Sequence, residues 1–212
     1  MSIEIITLPS GVYKTNTYYV FSGKHACIID PAAGCEEKIE ETVEKTGCEE
    51  FLILVTHSHW DHIGAVQALK ERLQASCYVH EEDGLNLLDP GSDGIPGMIT
   101  VEVVEEVETL SDGDSIEFGK VHFRVIHTPG HTKGSICFYM KEEGALFSGD
   151  TIFKGGPGAQ FSSSPPKEVL EETLCKLSFL PEKTRIYPGH GPSTVLEREE
   201  WLLRYQHGRA SW

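Results

Sequence analysis

One short stretch limits what this chain can fold into more than any other feature: THSHWDH, residues 56–62, which directly follows the apolar run FLILV. The chain has ten histidines, and three of them stand in this stretch beside an aspartate. Four potential ligands within six residues are typical of a metal site. The alternative is a chance or hydrogen-bonded cluster of histidines at a strand end, which is the usual explanation for a single histidine.

The spacing of these residues predicts two adjacent ions. In an extended segment side chains repeat every two residues, so His57 and His59 should project the same way at the end of the preceding strand and bind one ion. Asp61 and His62 stand where the chain turns into a helix predicted over 63–74. The turn redirects both side chains, which can then bind a second ion beside the first.

Two ions need more than four ligands, and three further candidates follow predicted strands. They are His131 in TPGHT, Asp150 in SGD and His190 in PGHG. Each stands near a glycine, which lets the backbone approach an ion closely. Taken singly, each could be an ordinary polar residue of a turn or cap. Together they predict one site.

The motif HSHWDH fits His-x-His-x-Asp-His, and TPGHT, SGDT and PGHG follow it in that order. With these four motifs the chain resembles the metallo-β-lactamase superfamily of metallohydrolases over nearly its whole length. The resemblance implies an α/β fold, an αββα four-layer sandwich of two mixed β-sheets with outer helices. Its dinuclear site would lie in a cleft at one edge of the sheets. At this length, without repeats, residues 1–212 are expected to form a single domain of this kind.

The resemblance also implies the ligand assignment. His57, His59 and His131 would bind the first metal, Asp61, His62 and His190 the second, and Asp150 would bridge both. Asp30 in IIDPAAG matches the acid that orients a ligating histidine in the family. Asp61 and Asp150 are also predicted to be catalytic. Nitrogen and oxygen ligands without a thiolate favour two zinc ions, with iron or manganese as alternatives.

A hydroxide held between two such ions would be a nucleophile at neutral pH, and the ions would polarise a carbonyl. Within the superfamily the chain resembles the glyoxalase II-like branch, the hydroxyacylglutathione hydrolases. We therefore expect a hydrolase that cleaves a small thioester or related ester by a metal-bridging hydroxide. Two alternatives stay open: a lactonase, and a persulfide dioxygenase with one iron at His57, His131 and Asp150.

Substrate contacts are less constrained by the sequence. Glyoxalase II carries basic residues in the loop after the bridging aspartate, where this chain has Lys154 and then Gln160. Lys133 and Lys154 are candidates for a contact with a substrate carboxylate, and their alternative is a solvated surface position. Trp60 either packs beside the site or contacts substrate. The polar, glycine-rich segment 81–108 is predicted to be a flexible loop or lid.

Composition excludes some partners. Eighteen basic and thirty-three acidic residues give a net charge of -15, which argues against binding to nucleic acid or anionic membranes. The six cysteines form no Cys-x-x-Cys pair, and the sequence shows no signal peptide and no run long enough to span a bilayer. We expect a cytoplasmic protein with reduced thiols that binds a small-molecule substrate, as a monomer or a homodimer.

Overall fold

The structure, a computed structural model, describes residues 2–207. The first of two large sheets, sheet 1, is formed by β1 (Glu4–Ser10), β2 (Thr15–Ser22), β3 (His25–Ile29), β4 (Glu50–Leu54), β5 (Ser76–His80) and β6 (Val107–Leu110). Its strands lie in chain order. The pairs β1–β2 and β2–β3 are antiparallel, and the pairs from β3 to β6 are parallel, so the sheet is mixed.

Sheet 2 is formed by β7 (Ser115–Phe118), β8 (Val121–His127), β9 (Ile136–Met140), β10 (Ala145–Gly149), β13 (Arg185–Pro188) and β14 (Thr194–Val195). Its spatial order is β14-β13-β10-β9-β8-β7. Only the pair β10–β13 is parallel. The strands β11 (Ile152–Phe153) and β12 (Gly156–Pro157) form a separate two-stranded hairpin.

The helices are α1 (Glu36–Thr46), α2 (Trp60–Ile63), α3 (Val66–Leu73), α4 (Glu81–Leu88), α5 (Lys167–Ser178) and α6 (Glu200–Leu203), with short 3-10 turns at Leu196–Arg198 and Arg204–His207. α1 ends at Gly47, which is left-handed at φ 65° and donates its N–H to the carbonyl of Val43. Within residues 2–207, no helix combines the length and apolar character that crossing a membrane requires.

Alternation along the strands explains why four layers form. Tyr18 and Val20 of β2 pack between the two sheets, whereas Tyr19 points to the opposite face and packs with the helices outside sheet 1. Phe138 and Phe147 fill the space between the sheets from the other side. A third apolar cluster joins the outer face of sheet 2 to α5 and α6. This arrangement confirms the predicted αββα sandwich of two mixed sheets. One domain over 1–212 stays a prediction.

The helix predicted over 63–74 is in fact two helices, so those bounds were wrong. α2 already begins at Trp60, and α3 begins only at Val66. The helical ladder is interrupted because the N–H of Ala65 donates to the carbonyl of Pro31, at 3.0 Å. Gly64 lies so close to Ala33 that an added Cβ would stand 2.8 Å from its methyl group.

The prediction of a flexible loop over 81–108 was also wrong at both ends of the segment. Residues 81–88 form α4, and residues 107–108 begin β6. The first turn of α4 is acidic, which suits the positive end of the helix dipole, and its Leu87 is fully buried against sheet 1. The glycines that suggested a loop lie mainly between these elements.

Candidate metal centre

The predicted site residues meet because the strands that precede them end at one edge of the sandwich. β8, β10 and β13 run in the same direction, and β3 and β4 are parallel to each other. Two backbone hydrogen bonds join the sheets at this edge. Ile136 donates its N–H to Thr56 at 2.9 Å, and Asn16 donates to Gly189 at 2.7 Å. The loops after these strands therefore face one another.

Group 1 consists of His57, His59 and His131, whose side chains are all buried and offer nitrogens within 4.8 Å of one another. His59 Nδ1 and His131 Nε2 are 2.9 Å apart. Burial and then the neighbouring imidazoles lower the pKa of His59 to about 3, and the same two causes hold the pKa of His57 well below its usual value. Neutral imidazoles result, each with a lone pair for a cation.

Group 2 consists of Asp61, His62 and His190, also with ligand atoms within 4.8 Å. His190 Nε2 lies 3.2 Å from Asp61 Oδ2 and 3.3 Å from His62 Nε2. Burial alone would raise the pKa of Asp61, but the hydrogen bond from His190 and the charge of His62 outweigh it and hold that pKa below its usual range. Asp61 is therefore a carboxylate at neutral pH.

Asp150 lies between the two groups. Its Oδ1 is 3.4 Å from His62 Nε2, and its Oδ2 is 3.7 Å from His131 Nε2 and 3.5 Å from His190 Nε2. Burial raises its pKa, yet the histidines around it, His62 first, lower it on balance. One carboxylate thus faces both groups, which is the geometry that a shared ligand of two ions requires.

Two observations suit the binding of cations at these groups. In the described part of the chain, His57 Nε2 and Asp150 Oδ1 are buried without a hydrogen-bond partner. Unpaired buried polar atoms are costly, and a cation would satisfy both. In addition, an added Cβ at Gly189 would collide with Asp150 Oδ1 and stand 2.6 Å from His62 Cε1. Glycine leaves this space free.

Asp30, which matches the family acid, contacts His62. Its Oδ2 lies 3.0 Å from His62 Nδ1 and accepts a hydrogen bond from the Thr56 hydroxyl at 2.6 Å, while its Oδ1 accepts the Thr56 N–H at 2.7 Å. Asp30 itself is held at a φ of 51°, a left-handed conformation that is uncommon outside glycine. With Nδ1 bound in this way, His62 directs Nε2 towards Asp150.

Other groups that orient the histidines were not predicted from the sequence. The carbonyl of Ala159 lies 2.6 Å from His131 Nδ1, and the carbonyl of Tyr13 lies 3.2 Å from His190 Nδ1. A backbone carbonyl carries no signal of its own in a sequence. Asp83 and Asn86 of α4, which contact the loops of group 1, were missed as well. The acidic residues 81–83 directly after a strand could have indicated them.

Apolar side chains surround the mouth of the site. This apolar rim consists of Tyr13, Trp60, Met98 and Phe161. The ring of Phe161 is 5.5 Å from those of His59 and His131 and is 44% exposed. Trp60 packs 5.3 Å from the ring of Tyr13, whose hydroxyl contacts the sulfur of Met98. Trp60 therefore packs against Tyr13, whose carbonyl contacts His190, and a contact of Trp60 with substrate stays a prediction.

The two lysines predicted as substrate contacts differ in position. Lys133 lines a cavity of 570 Å³ together with His59 and Ser162–Ser164. Acidic side chains, among them Glu82 and Asp93, line the same cavity. Lys154 is exposed in the turn between β11 and β12. Lys133 is also exposed, and it shares this cavity with His59.

A four-layer sandwich with two adjoining groups of His and Asp side chains at its strand ends defines a metal-dependent hydrolase. The family model described as Metallo-beta-lactamase superfamily matches residues 10–190, and the chain belongs to that superfamily. This membership confirms the resemblance seen in the sequence.

Relatives and a solved structure agree with this membership. The "Probable metallo-hydrolase YqgX" of Bacillus subtilis (strain 168) is 33% identical over 196 residues, which are 91% of this chain and 92% of that protein. The hydroxyacylglutathione hydrolase of Chelativorans sp. (strain BNC1) is 39% identical over 157 residues, 73% of this chain but only 54% of that protein. The crystal structure of TTHA1623 in a di-iron-bound form has a TM-score of 0.80 at 34% identity, covering 92% of this chain and 96% of that one.

Proposed function

We propose that this chain is a dinuclear hydrolase of small thioesters or related esters. The observation that carries the proposal is the position of Asp150, whose two oxygens face both groups. Group 1 would hold the first ion and group 2 would hold the second. Asp150 would be a ligand of both ions. Similarity to hydroxyacylglutathione hydrolases supports a thioester as the substrate, although this chain spans about half the length of such relatives. Zinc suits the donors, and the di-iron relative supports iron as the alternative.

When bound, a pair of divalent ions lowers the pKa of water and stabilises negative charge on a substrate oxygen. The chain's own residues would orient the ions and accept a proton from the attacking water. The imidazoles of group 1 stay neutral because they are buried, which keeps their lone pairs available. Asp61 and Asp150 are ionised, and we assign to them the acceptance of the proton from the attacking water. Both carboxylates stay ionised because the histidines around them lower their pKa.

The apolar rim and the cavity beside His59 are the proposed substrate contacts. The rim would bind the part of the substrate that does not react, with Trp60 as one wall. Lys133 would contact a polar group in the cavity, and Lys154, in the turn between β11 and β12, is a second candidate. A small-molecule substrate, a cytoplasmic location and a monomeric or homodimeric state stay predictions.

One paired experiment tests this function. The metal content of protein purified without chelator is measured alongside three assays: hydrolysis of a hydroxyacylglutathione, hydrolysis of lactones and β-lactams, and oxygen uptake with a persulfide. Two ions per chain with release of thiol would support the proposal. One iron per chain with oxygen uptake would show that the protein is a dioxygenase and not a hydrolase. Turnover of lactones or β-lactams alone would refute the proposal that the substrate is a thioester.

Metal binding is expected to stabilise the fold. At a zinc concentration about 100 times Kd, one bound ion contributes ~2.7 kcal/mol to the free energy of unfolding. For a chain of this size that raises Tm by roughly 5–11 °C. Differential scanning fluorimetry of metal-free protein with and without zinc measures the shift. The His59→Ala/His190→Ala double variant is the control, and an equal shift in that variant would place the binding elsewhere.

Phe161→Ala tests the apolar rim. Loss of the ring should raise KM for a thioester with an apolar acyl group by about 2- to 12-fold, the equivalent of ~0.5–1.5 kcal/mol, and leave kcat nearly unchanged. Steady-state kinetics with a series of acyl groups measures the effect. Phe179→Ala, a matched control that is 67% exposed just after α5, should change neither constant. A fall in kcat alone would contradict a role in binding.

A further inference from the structure

Asp83 joins the two loops that carry the histidines of group 1. This side chain is buried, at 5% exposure, in the first turn of α4. Its Oδ2 accepts the N–H of Ser58 at 2.8 Å and the hydroxyl of Thr132 at 2.9 Å, and its Oδ1 accepts the N–H of Gly134 at 2.7 Å. Ser58 stands between His57 and His59, and Thr132 follows His131. One carboxylate therefore fixes one loop against the other.

A second side chain of α4 binds the same loop. Asn86 lies one turn after Asp83, on the same face of the helix. It donates from Nδ2 to the carbonyl of Ser58 at 2.7 Å, and its Oδ1 accepts the N–H of Gly91 at 2.9 Å. Both polar backbone groups of Ser58 are thus bound by α4. The backbone between His57 and His59 cannot shift without breaking one of these bonds.

The contact between Asp83 and the second loop requires glycine. A Cβ added at Gly134 would stand 2.5 Å from Asp83 Oδ1 and 2.7 Å from its Cβ and Cγ. The backbone of Gly134 is therefore packed directly against the carboxyl group. Asp83 and this loop are therefore closely packed as well as hydrogen-bonded.

Group 2 takes its orientation from other parts of the chain. Asp30 contacts His62, the carbonyl of Tyr13 contacts His190, and the hydroxyl of Thr15 donates to Asp61 at 3.3 Å. These contacts come from β2 and from the loops beside β2 and β3, not from α4. Asp30 also binds Thr56, the residue before His57, but in the described part of the chain Asp83 and Asn86 form no hydrogen bond with Asp61, His62 or His190.

We propose that Asp83 is a positioning residue that sets the distance between His59 and His131, and thereby the affinity of group 1 for its ion, without affecting group 2. The inference rests on the proposed function, in which each group holds an ion. In this proposal α4 has a function beyond packing, since the helix carries both side chains that bind Ser58.

Measuring one group at a time tests the inference. In a His190→Ala background group 1 keeps all its ligands, and in a His59→Ala background group 2 keeps its own. Zinc affinity is determined for each background by competition with a chromogenic chelator, with and without Asp83→Asn. The substitution places an amide N–H where a donor now points, so we expect affinity to fall about 10- to 100-fold in the His190→Ala background. In the His59→Ala background we expect no more than a small change.

A matched control separates positioning from general stability. Glu199 is also a buried carboxylate that accepts three hydrogen bonds, from Gly155, Thr194 and Trp201, but it lies outside both groups. Glu199→Gln should lower Tm and leave the zinc affinity of both backgrounds unchanged. If Asp83→Asn does not fold, Thr132→Val removes one donor and should give a smaller loss in group 1 alone.

The outcomes distinguish this inference from the proposed function. Equal losses in both backgrounds, or an unchanged affinity of group 1, would overturn the role of Asp83 while the metal centre stands. If neither background binds zinc before Asp83 is changed, the metal centre is wrong, and the positioning role fails with it.

Discussion

Replacing His59 by alanine is expected to remove one of two bound ions and to lower kcat/KM by at least about 10³-fold. His59 is buried, and its Nδ1 lies 2.9 Å from His131 Nε2, so group 1 would keep only two of its three nitrogens. Loss of a single oxyanion donor already costs ~10²–10³ in rate, and loss of an ion removes that stabilisation together with the activation of water.

Metal analysis and steady-state kinetics on the same preparation check this result. His122→Ala serves as the control, because His122 is exposed on β8 and lies outside both groups. It should retain two ions and full activity. A His59→Ala protein that still binds two ions would show that group 1 is not a metal site.

Gly189→Ala should have the next largest effect, a loss of about 10²-fold or more in kcat. The new methyl group would collide with Asp150 Oδ1 and His62. The backbone has little room to move, since Gly189 donates to Gly149 at 2.8 Å and accepts from Asn16 at 2.7 Å. The carboxylate between the two groups must shift instead, and a misplacement of about 1 Å can cost ~10²-fold.

Overpacking at this position should also lower the free energy of unfolding by ~1–3 kcal/mol, measured by denaturant titration. Gly156→Ala is the matched control, because no heavy atom lies within 4 Å of the Cβ it would add and its φ is not left-handed. That variant should behave like the parent. If Gly189→Ala kept full activity with two ions, the space beside Asp150 would not matter to the site.

Much of the site could be predicted because its residues are marked locally. His57, His59, Asp61 and His62 are consecutive or nearly so, and each of the other three side chains lies in the loop after a strand and stands near a glycine. Parallel strands then bring those ends to one edge of the sandwich. The fold could be predicted for a similar reason. Burial is nearly continuous along β2, whose side chains alternate between two apolar clusters, and β4 is an apolar run; both features are typical of a sheet with both faces covered.

The parts that were missed depend on contacts between distant residues. Asp83 meets Gly134 across 51 positions of sequence, and nothing near either residue indicates the other. The glycines between α4 and β6 suggested a loop because composition outweighed the short apolar pattern of the helix. The break between α2 and α3 was missed because it depends on a hydrogen bond from Ala65 to Pro31, which only the folded chain provides.

The central claim is that seven side chains hold two ions. Crystals grown with excess zinc, with anomalous diffraction recorded on both sides of the zinc absorption edge, test it most directly. The account predicts two anomalous peaks about 3.5–4 Å apart. One should be contacted by His57, His59 and His131 and the other by Asp61, His62 and His190, with Asp150 contacting both. A single peak, or none among these side chains, would contradict it.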